Sequence, residues 1–218
     1  MNSNSKNEQE LRYNLYCASA GLCKDETEEI LKHLTTFPSP NYAEVGVYFG
    51  GTFFYILNFL SKTKDNYFAY GIDLFEDFSI NFNSSTQTHE PQNKYGILNV
   101  AVKSDLESKL KDLGFSNFEL IKGNSDECLN SLGVILDVVL IDGNHTYLQC
   151  NLDFEAALTK CHPGSIIVFD NSSNDIEPDP RYVEADGGPW KVCLELKNDS
   201  RLTFLNQINR CSFFKVNE

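Results

Sequence analysis

The residues able to do chemistry gather where apolar runs stop. Leu136 to Ile141 is aliphatic apart from Asp137, and it ends abruptly at Asp142-Gly143-Asn144-His145-Thr146-Tyr147. A second run, Gly164 to Phe169, ends in the same way at Asp170-Asn171. Apolar stretches of this kind suit central strands of a parallel sheet covered on both faces. Open α/β sheets bind ligands at the carboxyl ends of their strands, so Asp142, His145, Asp170 and Asn171 are expected at a binding edge. Two acids and an asparagine converging there outline an all-oxygen cation site. Taken singly, each is also a common turn or cap residue. Their coincidence on neighbouring strand ends is what points to a cation.

The elements that must position these residues follow from the pattern around them. Tyr147 to Cys161 reads as a helix, with Leu148, Phe154, Ala157 and Leu158 on one face and Pro163-Gly164 closing it. A right-handed strand, helix, strand unit makes the two acid-tipped strands parallel neighbours. Upstream, Asn41 to Thr52 reads as a short strand feeding a glycine turn, followed by a helical stretch from Phe53 to Leu60. The turn is not the dinucleotide fingerprint, because Tyr48 stands where Gly-x-Gly-x-x-Gly requires its second glycine. A second strand, Tyr67 to Asp73, ends in an acid about twenty residues beyond the turn, where a carboxylate accepts both hydroxyls of a ribose. Glycine turn and spaced acid together suggest an adenosine ligand. Ser104-x-x-Glu107 has the form of a capping box for a helix through Leu106, Leu110 and Leu113, stopped by Gly114. Phe118 to Ile121 is a further strand, and Asn124 and Ser125 beyond it face the same edge as Asp142, suited to an adenine edge or to a helix cap.

Ahead of the first strand, residues 1–40 read as a helical extension. Leu11, Leu15 and Ala18 recur at helical spacing, and Asp25-x-x-Glu28 resembles a capping box opening a second helix that buries Ile30, Leu31 and Leu34. This extension is expected to be a packing layer or lid, or a homodimer contact. Residues 76–93, with Phe78 and His89, and residues 172–188, with Arg181 and Tyr182, read as cap or substrate loops. Pro189-Trp190 opens the last helix, and strands near Leu202 to Asn206 and Cys211 to Val216 form an antiparallel hairpin across Ile208-Asn209-Arg210. Tyr48, Phe78, Tyr182 and Trp190 are candidate acceptor contacts.

Composition narrows the partners. A chain of 218 residues with 41% hydrophobic residues supports one substantial core, so a single domain over 1–218 is expected. The formal charge of -13 argues against nucleic acid, whose phosphates demand basic patches, and favours a small molecule. No stretch has the length or apolarity of a membrane span, and the first residues lack the form of a signal peptide. Seven cysteines without a Cys-x-x-Cys pair read as reduced thiols of a cytoplasmic protein.

In this order the motifs resemble the class I S-adenosylmethionine-dependent methyltransferases over nearly the whole chain from Asn41 to Val216. Glu44-x-Gly46-x-x-x-Gly50-Gly51-Thr52 looks like their first motif, Gly71-Ile72-Asp73 like their ribose-binding acid, and Gly123-Asn124-Ser125 like their adenine segment. The resemblance implies a Rossmann-like, doubly wound, seven-stranded α/β sheet, mostly parallel with an antiparallel terminal strand. It implies that Glu44, Gly46, Gly50, Thr52, Asp73, Asn124, Ser125 and Asp142 bind S-adenosyl-L-methionine. More narrowly, Ile141-Asp142-Gly143-x-His145-x-Tyr147 looks like the family-24 methyltransferases, and the second half resembles the cation-dependent catechol-type O-methyltransferases. That second likeness implies Mg2+ on Asp142, Asp170 and Asn171 and a small hydroxylated acceptor. Those enzymes carry a lysine three residues after the first acid as general base. Here that place is taken by His145, either a general base, since its unperturbed pKa of about 6.5 suits proton abstraction near neutrality, or a structural hydrogen-bonding residue. Two other classes fit a similar fold, a nicotinamide-dependent oxidoreductase and a non-catalytic adenosine-binding module.

Overall fold

The structure, a computed structural model, describes residues 22–75, 102–173 and 187–218. Among these are α1 (Lys24–Thr35), β1 (Asn41–Val45), α2 (Gly51–Thr63), β2 (Phe68–Asp73), α3 (Lys103–Asp112), β3 (Phe118–Lys122) and α4 (Ser125–Ser131). They are followed by β4 (Leu136–Ile141), α5 (Tyr147–Lys160), β5 (Cys161–Phe169), α6 (Gly188–Leu196), β6 (Leu202–Ile208) and β7 (Cys211–Val216). The helix expected through Leu11, Leu15 and Ala18, the 76–93 loop with Phe78 and His89, and Arg181 and Tyr182 lie outside the described residues. No helix among the described residues is long and apolar enough to cross a membrane.

The strands form one seven-stranded sheet in the order β3-β2-β1-β4-β5-β7-β6. Strands β3 to β5 in that order run parallel, and β7 lies between β5 and β6, antiparallel to both. Buried side chains of α1, α2 and α3 meet one face of the sheet. Those of α4, α5 and α6 meet the other. This is the doubly wound arrangement expected, and it explains the unbroken apolar runs: Val138 and Leu140 of β4 enter one core while Val139 and Ile141 enter the other. The chain order reverses between β1 and β4, which makes the carboxyl ends of these strands the switch point where such sheets bind ligands.

Register brings the expected site together. Val45 pairs with Ile141 and Ile141 with Phe169, so Gly46, Asp142 and Asp170 are each the first residue past their strand. The ladder runs on by one bond at each: Gly46 N donates to Ile72 O at 2.9 Å, Asp142 N to Val45 O at 2.9 Å, and Asp170 N to Ile141 O at 3.1 Å. Behind them Phe169, Phe213 and Phe214 are fully buried, and their removal from water contributes about 2–3 kcal/mol each.

Local differences from the expected elements have tertiary causes. The capping box of α1 uses Cys23 and Glu26, two residues upstream of the expected Asp25 and Glu28: Glu26 Oε2 accepts from Cys23 N at 2.7 Å, and its other oxygen accepts from Arg210 N at 2.9 Å. The start of α1 at Lys24 puts Glu26 at the third helical position, and the β6–β7 turn adds a second partner to it. α3 begins after Val102 without a side-chain cap, and Glu107 pairs instead with Lys111 at 2.6 Å. α2 begins at Gly51 rather than Phe53. β5 begins already at Cys161, passing through Pro163 and Gly164, because Ser165 Oγ accepts from His162 N at 3.0 Å and donates to Leu136 O at 2.8 Å.

Candidate active site

The glycine turn after β1 is dictated by close approach. Gly46 has φ +88, and a Cβ there would lie 2.0 Å from the Asp142 carbonyl oxygen. Gly50, at φ +81, is covered by Leu106 of α3, whose Cδ1 would be 2.8 Å from an added Cβ. Tyr48 also takes a left-handed backbone, φ 51, and turns its ring outward, 52% exposed. Its amide donates to Asp73 Oδ2 at 2.7 Å, while Phe75 N donates to Oδ1 at 2.9 Å. The spaced acid thus touches the glycine turn directly, and the Leu74 and Val47 amides bond to it as well. Burial raises the Asp73 pKa and these amide bonds oppose the rise. Glu44 and Thr52 are buried beside the turn. Burial pushes the Glu44 carboxyl well above the usual range, with the Asp142 and Asp73 charges adding to the rise and the 2.8 Å bond from the Tyr42 hydroxyl opposing it.

At the end of β4 and β5 the second group forms. Single ligand atoms of Asp142, His145 and Asp170 lie within 4.8 Å of one another, a spacing that one metal ion spans. His145 Nε2 is 3.4 Å from Asp142 Oδ1, and Asn171 Nδ2 is 3.3 Å from His145 Nδ1. Asp142 to Thr146 is a loop and not a helical turn, since α5 starts at Tyr147 with Thr146 as its N-cap. Burial pushes Asp142 up to about 7; the Glu26 and Asp73 charges add to this, and a hydrogen bond with Asp170 and the Arg210 charge oppose it. Asp170, 2% exposed, is pushed well up by burial first and then by the Asp142 charge. Two carboxylates so close cannot both ionise freely without a counter-charge. Burial lowers the His145 pKa, which favours the neutral ring.

The expected adenine segment sits at the same edge, with Asn124 as N-cap of α4. The Ser125 hydroxyl donates to Asp153 Oδ1 on α5, and Gln149 Nε2 reaches Ser125 Oγ at 3.3 Å, Asp126 Oδ1 at 3.1 Å and Asp153 Oδ1 at 3.0 Å. Ser125 is therefore committed on one side to a buried acid. Trp190 is half-buried at the start of α6.

Several residues at this edge carry no local signal in the sequence. Arg210, on the β6–β7 turn, donates from Nη1 to Asn171 Oδ1 at 3.2 Å and stands 3.7 Å from Asp170 Oδ1 and 3.8 Å from Glu26 Oε1. Cys211 Sγ donates to Asp170 Oδ1 at 3.4 Å. Gly188 packs α6 onto the His145 loop so tightly that a Cβ would lie 2.3 Å from Tyr147 N and 2.5 Å from His145 O.

With this geometry in hand, likeness to known proteins is informative. The family-24 model, described as a methyltransferase domain, matches residues 43–172, more than half the chain. No curated protein matches significantly. Solved structures share the fold at low identity. The O-methyltransferase TomG from Streptomyces achromogenes, in complex with S-adenosylmethionine, is 15% identical with a TM-score of 0.61, over 91% of this chain and 82% of that one. An rRNA methylase from Streptococcus thermophilus is 14% identical with a TM-score of 0.55, over 91% and 100%. The MycE methyltransferase of the mycinamycin pathway, in complex with Mg and S-adenosylhomocysteine, is 16% identical with a TM-score of 0.61, over 96% of this chain and 54% of that one. The nicotinamide-dependent alternative finds no counterpart in the family match. The chain belongs to the family-24 methyltransferase domains, and is an S-adenosylmethionine-dependent methyltransferase of the class I fold.

Proposed function

We propose that the protein transfers the methyl group of S-adenosyl-L-methionine to a hydroxyl of a small molecule, with Mg2+ held by Asp142, Asp170 and Asn171. The observation that carries this reading is the pair of neighbouring carboxylates, Asp142 and Asp170, crowded at the switch point with their proton affinities raised. The donor set fits the ion: two carboxylates and an amide carbonyl are hard oxygens, and magnesium tolerates few protein ligands because it keeps waters or substrate oxygens. When bound, the cation would acidify a coordinated hydroxyl. MycE, solved with Mg and S-adenosylhomocysteine, supports the combination by likeness of fold.

In this reading the chain's own groups divide the work. Gly46, Gly50 and Thr52 shape the turn against the cofactor, with Glu44 beneath it. Asp73 takes the ribose hydroxyls, Asn124 and Ser125 border the adenine, and the Asp142 loop closes the cofactor site on the acceptor side. His145, kept neutral by burial, accepts the acceptor's proton. Holding nucleophile and sulfonium methyl in line is the larger share of the acceleration. The strongly acidic charge favours a small acceptor, a sugar or secondary metabolite, over nucleic acid. A second role for His145, as a metal ligand, is favoured by its place in the same 4.8 Å cluster as the two acids.

Calorimetric titration with S-adenosylhomocysteine, followed by methyl-transfer assays on hydroxylated acceptors with Mg2+ or chelator, tests the proposal. Micromolar binding and chelator-sensitive turnover that Asp142→Asn abolishes are expected. Absence of binding by folded protein would remove the cofactor assignment, and chelator-insensitive turnover would remove the cation. His145→Ala that retains Mn2+ binding but loses turnover assigns the base; loss of Mn2+ binding assigns a ligand.

A further inference from the structure

We propose that Arg210 competes with the divalent cation for Asp170 and Asn171, and so sets how tightly the site holds metal; the inference rests on the cation reading above. Asn171 has one atom able to ligate a metal, its carbonyl oxygen. That oxygen accepts from Arg210 Nη1 at 3.2 Å, while the amide nitrogen faces the His145 ring. The same guanidinium stands 3.7 Å from Asp170 Oδ1. An incoming cation therefore meets a positive charge on two of its three oxygen ligands. It must share these oxygens with that charge or displace it.

The backbone keeps Arg210 in place. β7 runs antiparallel to β5, with Phe169 opposite Ser212, which brings the β6–β7 turn back to the end of β5. Ser172 then donates twice to Arg210 O, from its amide at 2.8 Å and its hydroxyl at 2.9 Å. Glu26 holds the residue from the other side. It is fully buried, accepts from Arg210 N at 2.9 Å, and has Oε1 3.8 Å from Arg210 Nε. Removing Arg210 leaves a more negative site for the cation. Neutralising Glu26 removes one of the negative charges that hold Arg210 and strengthens the competition at Asp170. The two changes therefore act in opposite directions. For a guanidinium that is 39% exposed, solvent screening limits each effect to roughly tenfold in metal affinity.

The experiment is Mn2+ titration read by the electron paramagnetic resonance of the free ion, on wild type, Arg210→Met, Arg210→Gln, Glu26→Gln and Asp142→Asn. S-Adenosylhomocysteine titration of each variant verifies that the cofactor half is intact. Tighter Mn2+ binding by both Arg210 variants and weaker binding by Glu26→Gln is the expected result. Binding that appears only when Arg210 is replaced also supports it. Unchanged or weaker binding in the Arg210 variants, with wild type binding and Asp142→Asn not, overturns the competition and leaves the metal site standing. No Mn2+ bound by any variant that still binds S-adenosylhomocysteine overturns both.

Discussion

Gly46→Ala should damage both stability and cofactor binding, through a collision that can be measured on the structure. At φ +88 an L-residue pays about 1–2 kcal/mol for the left-handed backbone alone. Its Cβ would also stand 2.0 Å from Asp142 O, 2.5 Å from Asp142 C and 3.0 Å from Gly143 Cα, all backbone atoms with no rotamer to yield. Relief requires the two strand ends to part by about 1 Å, well into the repulsive wall of the contact. That separation strains the bond across the switch point, Asp142 N to Val45 O, and, as the end of β1 shifts, the bond on its other side from Gly46 N to Ile72 O of β2, each 2.9 Å long and contributing about 1 kcal/mol. The sum is ~3–4 kcal/mol, or roughly 10 °C in melting temperature for a chain of this length. Gly114→Ala is the internal control: at φ +90 it shares the backbone strain, but its Cβ meets nothing within 4 Å, so only about 1–2 kcal/mol should be lost. Urea denaturation of both variants measures the difference, and calorimetry with S-adenosylhomocysteine measures its consequence at the site. If Gly46→Ala matched Gly114→Ala in stability and bound the cofactor product as wild type does, the close approach of β1 to the Asp142 loop would not be what requires this glycine.

Three further outcomes follow from single contacts. Asp153, fully buried and pushed up to about 6, keeps a proton that the unfolded chain releases from about pH 4, so its contribution to stability falls by ~3 kcal/mol as pH rises from 3 to 7, about 2 kcal/mol of it between pH 4 and 6. Asp153→Asn should flatten that part of the stability profile; an unchanged slope in urea midpoints would refute the assignment. His162 has its pKa raised, chiefly by its 2.9 Å bond to Asp137, so the stabilisation is complete below about pH 6.5 and lost as pH climbs through the raised value. The ring is 40% exposed and the gain is at most about 1 kcal/mol, measured as a midpoint difference between pH 6 and 8 that His162→Gln removes. Gly188→Ala should push α6 off the His145 loop and lower kcat at least about tenfold, while S-adenosylhomocysteine affinity stays within about twofold, because the clash involves the His145 side of the edge and not the glycine turn. Equal loss of kcat and affinity would argue against that separation.

What could be read from the sequence divides along one physical line. Strand ends were legible because burial on both faces keeps the last four residues of β4 and of β5 apolar until the strand stops. Asp73, Asp142, Asp170 and Asn171 therefore stood out as the first polar residues after apolar runs, and pairing of β1, β4 and β5 places Asp142 and Asp170 side by side. The balancing groups were illegible for the converse reason. Arg210 approaches Asn171 only because β7 inserts antiparallel beside β5, and Glu26, placed third in α1 by the helix start at Lys24, meets Arg210 N only through the same topology. Asp153 likewise meets Ser125 across two helices. Local spacing encodes which atoms can donate or accept at an edge, whereas the charge they experience depends on residues brought in by the whole topology. In the proposed cation site the motif bears on ligand type and not on affinity: the oxygens of Asp170 and Asn171 suit a hard cation, but the guanidinium between them and Glu26 would decide how much of that cation's attraction remains. Proteins sharing this motif and differing at the β6–β7 turn should differ in metal affinity before they differ in chemistry.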